Sequence, residues 1–149
     1  YDNLMNLVSD SLSKLAEFSS KIGINILVEN HGGLSSNGLW LAGLMEKVNK
    51  SNCGTLPDFG NFHLGDDQWY DRYQGMKELM PFAKAVSAKS HDFNENGDEI
   101  HTDYYKMINI VNSFGYNGYI GIEYEGSSLD EYSGIKATKN LLEKVKTFT

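Results

Sequence analysis

Cysteine is nearly absent from this sequence: Cys53 is the only one. One thiol cannot form an intrachain disulfide, so nothing in the chain argues for an oxidising compartment. No run of about 18 apolar residues occurs, which excludes a membrane-spanning helix. Basic residues are in deficit, 13 against 20 acidic ones, for a net charge of −7. An acidic surface disfavours a nucleic-acid backbone as partner. Short repeats, low-complexity segments and linkers are missing, so the 149 residues read as one domain, long enough to bury a real core. A G-x-G-x-x-G fingerprint, a nucleophile elbow, a C-x-x-C pair and an H-E-x-x-H helix are all lacking. No signal peptide is visible. The chain starts at Tyr1 rather than Met and enters helical periodicity at once. The expectation is therefore an upstream part, holding any targeting region, that precedes these residues, and a cytoplasmic location.

What the chain does have is a repeated placement of charge after apolar runs. Glu29 closes the run 24–28, Asp58 closes 53–57, and Glu123 closes 119–122. A fourth run, 85–88, ends at Lys89 and His91. Glu29, Asp58, Lys89 and Glu123 follow one another at intervals of 29, 31 and 34 residues, each the length of a strand, a loop and a helix. Helical spacing of Leu4, Leu7, Val8, Leu12, Leu15 and Phe18 predicts a first helix over roughly 3–21, stopped at Gly23. Strands are predicted at 24–28, 53–57, 84–89 and 119–123. Helices should place Leu41, Leu44, Met45 and Val48 inward, run through Met76, Leu79 and Met80, and run from Tyr104 to a stop at Gly115. A last helix over roughly 130–147 carries Ala137, Leu141, Val145 and Phe148 on one stripe. The stretch 58–73 reads as a long polar and aromatic loop.

The order α-βα-βα-βα-βα demands a parallel sheet with right-handed crossovers. Two arrangements satisfy it: a small open sheet, or four of the eight strands of a (βα)8 barrel, a fold of about 250 residues. In both, charged residues at the carboxyl ends of successive strands converge at one rim, where such folds place catalytic groups. Glu29, Asp58 and Glu123 would repel one another there without a cation or protons. A hard divalent ion such as Mg²⁺ or Mn²⁺ suits oxygen ligands, and an added histidine widens the choice to Co²⁺ or Zn²⁺. The bland alternative is that each acid caps the following helix or pairs with a base. Lys89 follows the small residues Ser87 and Ala88, so it points into the site and can hold an enediolate or phosphate oxygen. His31 and Asn61 are candidates for substrate hydroxyls, and His91 is placed to reach the rim. His63 reads as a packed loop histidine and His101 as a solvated one. Trp69, Tyr70 and Tyr73 can wall a pocket, whereas Trp40 reads as helix packing.

Segments 26–33 (ILVENHGG), 56–62 (LPDFGNF), 86–93 (VSAKSHDF) and 115–126 (GYNGYIGIEYEG) resemble the sugar phosphate isomerase/epimerase family. This is the xylose-isomerase-like TIM-barrel superfamily, which also holds ketose 3-epimerases, inosose dehydratases and endonuclease IV. The resemblance covers nearly the whole chain but only the second half of that α/β fold, from its fourth helix to its eighth. It implies that Glu29, Asp58 and Glu123 are metal ligands, and that Glu29 and Glu123 are also the acid/base pair. The family's fourth ligand, a histidine, stands two residues before the position of Lys89, where this chain has Ser87; His91 is the residue that would substitute. Many relatives also carry a histidine where this chain has Asn61. The implied function is a sugar, sugar phosphate or polyol isomerase or epimerase using Mn²⁺, Mg²⁺, Co²⁺ or Zn²⁺. The alternatives are a dehydratase or lyase on the same scaffold, or a non-catalytic sugar-binding relative. The implied partners are a small sugar or polyol and a second copy in a homo-oligomer, with no nucleic acid and no membrane.

Overall fold

Strand and helix alternate through the computed structural model, which describes residues 2–146. Helix α1 (Asp2–Ser20) leads to β1 (Ile26–Glu29), α2 (Gly38–Val48) and β2 (Cys53–Leu56). A hairpin of β3 (His63–Gly65) and β4 (Gln68–Trp69) follows, then α3 (Arg72–Leu79), β5 (Val86–Ser90), α4 (Tyr104–Ser113), β6 (Ile120–Tyr124) and α5 (Glu131–Lys146). Phe148 lies outside the described residues.

β1 pairs in parallel with β2, and β5 in parallel with β6. The two pairs join where the chain continues beyond β2. Single bridges link Thr55 to Ala83 and Asp58 to Ser87. There the Ser87 N–H donates to the Pro57 carbonyl at 2.9 Å, and the Phe59 N–H donates to the Ser87 carbonyl at 3.0 Å. The spatial order is therefore β1-β2-β5-β6, all parallel. Successive helices pack side by side along one face of this arc. Among the described residues the arc does not close: β1 and β6 each keep one edge unpaired. This is the architecture of half a (βα)8 barrel. No helix among the described residues is long and apolar enough to cross a membrane.

The sequence explains most of these elements directly. Leu41, Leu44, Met45 and Val48 are buried on α2, and Leu141 and Val145 on α5, as the helical spacing requires. Asn37, Asp71 and Asp103 cap α2, α3 and α4, each with a side-chain oxygen that accepts a first-turn N–H. β5, the interior strand, is buried at all five positions, while the edge strand β6 leaves Gly121 and Ile122 exposed. β1 starts two residues later than the apolar run, because the Ile24 N–H donates back to the Ser19 carbonyl and extends the turn after α1. Pro81 ends α3 early, and Met80–Phe82 form a 3-10 turn instead.

The stretch 58–73 is not wholly loop. It folds into the β3–β4 hairpin, turned by Gly65, Asp66 and Asp67 at φ values of 110°, 47° and 58°. Two aspartates in the left-handed region are tolerated because a short polar side chain bonds locally there.

Candidate active site

Each carboxylate arrives at the rim because its strand ends there. Glu29 is the last residue of β1. Asp58 follows β2 by two residues, and Glu123 lies opposite Lys89 in the β5–β6 register. One carboxylate oxygen from each of Glu29, Asp58 and Glu123 lies within 4.8 Å of the others. The structure thus brings together three residues far apart in sequence.

Asp58 is fully buried. Its Oδ1 accepts the backbone N–H groups of Gly60 and Asn61, both at 2.9 Å. These bonds close the turn after β2; they do not cap a helix, since the β3–β4 hairpin follows. Its Oδ2 has no hydrogen-bond partner. Burial raises its pKa to about 6, opposed by the Gly60 and Asn61 amides and the charge of Lys89. The Ser87 hydroxyl donates to Glu123 Oε2 at 3.2 Å. A buried, unpartnered anionic oxygen beside two further carboxylates is the donor set that a hard divalent cation fits.

Lys89 is 2% exposed and its ammonium has three partners: Glu125 Oε2 at 3.0 Å, Glu123 Oε1 at 3.1 Å and Asn61 Oδ1 at 3.0 Å. Burial pulls its pKa down, but the hydrogen bonds to Glu125 and Glu123 outweigh that and leave it raised. Glu125 is in turn held below the usual carboxylate range by Lys89. Asn61 ties the two sides of the site together, because its Nδ2 also donates to Glu29 Oε1 at 3.3 Å. Gly60 lets Lys89 pass: a Cβ there would meet the lysine Cδ at 3.0 Å.

Asn30 and Glu125 were not singled out in the sequence. Asn30 is fully buried and staples β1 to the turn after β2. Its Oδ1 accepts the Asp58 N–H at 2.7 Å, and its Nδ2 donates to the carbonyls of Asp58 and Asn61 at 3.0 and 2.9 Å. Glu125, two residues beyond Glu123 and so on the same side of the strand, could have been found from that period.

The other candidates lie elsewhere. His31 is exposed in its loop, where its N–H donates to Ser35 Oγ. His91 is not in the carboxylate group: its Nδ1 lies 4.0 Å from Glu99 Oε1, and its ring stands edge-on to His101 with centroids 5.6 Å apart. His63 is exposed, and its ring lies tilted at 49° against Trp69 with centroids 4.8 Å apart. Trp40 packs against the core, as the helix-packing reading has it.

Residues 1–147 match the family described as the xylose isomerase-like TIM barrel. No curated protein matches the sequence. Among solved structures, the chain is similar to a xylose isomerase-like TIM-barrel protein from Mycobacterium smegmatis in complex with magnesium. That similarity has a TM-score of 0.73 at 17% identity, over 99% of this chain and 52% of the other. It is also similar to an L-ribulose 3-epimerase, with a TM-score of 0.74 at 14% identity, over 95% of this chain and 53% of the other. A D-allulose 3-epimerase from Methylomonas sp. gives 0.72 at 14% identity, over 92% of this chain and 54% of the other. The chain spans about half the length of each of these structures.

Proposed function

The chain belongs to the xylose isomerase-like TIM-barrel family, and we propose that it forms one side of the active site of a sugar isomerase or epimerase. The observation that carries this reading is the convergence of Glu29, Asp58 and Glu123, with Lys89 bonded to one of them. Two similar structures are 3-epimerases of L-ribulose and D-allulose, which supports a small sugar or polyol as substrate. Glu29, Asp58 and Glu123 would hold a divalent cation: Mg²⁺, Mn²⁺, Co²⁺ or Zn²⁺. Bound there, it supplies positive charge that polarises a substrate carbonyl.

The remaining chemistry belongs to the chain itself. Glu29 ends the first strand of the arc and Glu123 stands on the last, so the two approach the substrate from different sides. One takes the proton from the carbon beside the carbonyl. The other returns a proton to that carbon from the opposite face, which inverts it, or to the carbonyl carbon, while the hydroxyl proton of the first carbon passes to the old carbonyl oxygen, which moves the carbonyl. As the first proton leaves, negative charge develops on the carbonyl oxygen. The Lys89 ammonium, kept charged by Glu123 and Glu125, is preorganised to stabilise it. Asn61 holds Glu29 and Lys89 in position and offers an amide to a substrate hydroxyl.

The test is proton exchange. The purified protein is incubated with Mn²⁺ and a panel of ketoses in D₂O, and products are read by NMR. Deuterium at the carbon beside the carbonyl, in an epimer or isomer of the substrate, is expected. Glu123→Gln should lower turnover by about 10²–10⁴-fold, the usual contribution of a general acid or base. A product that has lost water would assign a dehydratase instead. Full turnover in Glu123→Gln would remove the acid/base reading.

A further inference from the structure

A second pocket opens beside the carboxylate group. Gly60, Trp69, Arg72, His91 and His101 line it, around a cavity of about 420 Å³. Gly60 is the wall it shares with the proposed catalytic site. The Gly60 N–H is held by Asp58 Oδ1, and its α-carbon lies against the side chain of Lys89. A substrate seated over Glu29 and Glu123 therefore has this pocket at its far end.

Arg72 is the only arginine in the chain. Its guanidinium bonds the hydroxyl of Thr102 and has no carboxylate partner among the described residues. That is unexpected in a chain with 20 acidic residues against 13 basic ones. Three acids near the pocket residues in sequence are turned to backbone amides. Asp71 Oδ1 accepts the N–H groups of Tyr73 and Gln74, and Asp103 Oδ1 accepts that of Lys106. Glu99, with a side chain 1% exposed, accepts the N–H groups of His91, His101 and Thr102. These bonds also fix the loop that presents both histidines. The Asp103 N–H donates to the Tyr73 hydroxyl at 3.0 Å, which clamps the same loop to α3. Trp69 is 60% exposed and packs at a tilt against His63, so the hairpin holds an aromatic wall against the cavity.

We infer that this pocket binds an oxyanion, the phosphate or carboxylate at the far end of the substrate, so the substrate is a sugar phosphate or a sugar acid. This rests on the isomerase reading for what the anion is attached to. A planar guanidinium with five donors and free of a carboxylate matches either anion in two-pronged fashion. The two imidazoles add ring donors, and the Trp69 face covers the carbons between the reacting centre and the anion.

The experiment is calorimetric titration of the metal-free protein with inorganic phosphate and, separately, with acetate. Metal is left out so that neither anion is recruited by a cation. One of the two should bind the unmodified protein, and the tighter one identifies the group. Arg72→Gln should weaken that binding at least tenfold, the scale of a lost charge-assisted hydrogen-bond pair. Arg72→Lys, which keeps the charge without the fork, should fall between. Glu123→Gln should leave the anion affinity unchanged, and Arg72→Gln should leave Mn²⁺ affinity unchanged. Binding of neither anion, equal binding by Arg72→Gln, or loss of binding in Glu123→Gln would each overturn the assignment. Anion binding through Arg72 with no Mn²⁺ binding at all would uphold the pocket and overturn the catalytic reading instead.

Discussion

Asp58 is the residue whose state most depends on what occupies the site. Burial moves its pKa from 3.8 to about 6, so folding favours its protonated form. Without metal, its contribution to stability is fully present below about pH 4 and is lost as the pH rises through 6, a change of roughly 3 kcal/mol for a shift of this size. A bound cation cancels that loss. Urea midpoints of the metal-free protein should therefore fall between pH 4.5 and 7.5, and Mn²⁺ should restore them at the upper end. Mn²⁺ affinity should rise about tenfold per pH unit below 6 and flatten above it, because binding displaces one proton. A metal-free midpoint that climbs through this window would contradict the burial reading of Asp58. The four rim residues were legible because each closes an apolar run. Arg72, Asn30 and Glu99 were not, because their roles depend on partners the sequence does not place beside them. Asn30 acts on Asp58, 28 residues away, and Arg72 on Thr102, 30 residues away.

At the scale of elements, the five helices were readable because burial imposes a period on them, and the four strands because each is a short continuous apolar run between turn signals. The β3–β4 hairpin was not: its strands are three and two residues long, too short for any alternation to show. Its position depends instead on a close crossing of helices. A Cβ on Gly38 of α2 would lie 2.7 Å from the Cα of Gly75 of α3. A Cβ on Gly75 would lie 2.2 Å from Phe62, the fully buried residue that leads into the hairpin. Gly75→Ala gains up to about 1 kcal/mol of helix propensity. Overpacking against the buried Phe62 ring costs about 1–3 kcal/mol or more and dominates. The variant should show a lower urea midpoint and, through the displaced hairpin, weaker binding of the anion that the Arg72 pocket takes. A Gly75→Ala protein as stable as its parent would show that the Phe62 ring can move aside freely.

For the whole molecule, the open arc sets the behaviour. Leu4, Leu7, Leu15 and Phe18 form a stripe on the outer side of α1 and are 44–66% exposed. At the other end of the arc, Tyr119 is 94% exposed and Ile122 36%. Unpaired strand edges beside exposed apolar residues promote association. A chain of these 149 residues should self-associate at micromolar concentration in sedimentation velocity. A monodisperse monomer that unfolds cooperatively would show that the open edges are tolerated. The fold class was legible from the order of elements and the family from four short segments, but the open face became concrete only once the strands were placed. The most direct measurement is a Mn²⁺ titration followed by the EPR signal of the free ion, comparing the parent with Glu29→Gln and Glu123→Gln. One site per chain in the parent, weakened at least tenfold in each variant, is the expected result. Parental affinity in both variants would mean that the three carboxylates do not hold a metal, and the proposed chemistry would fall with them.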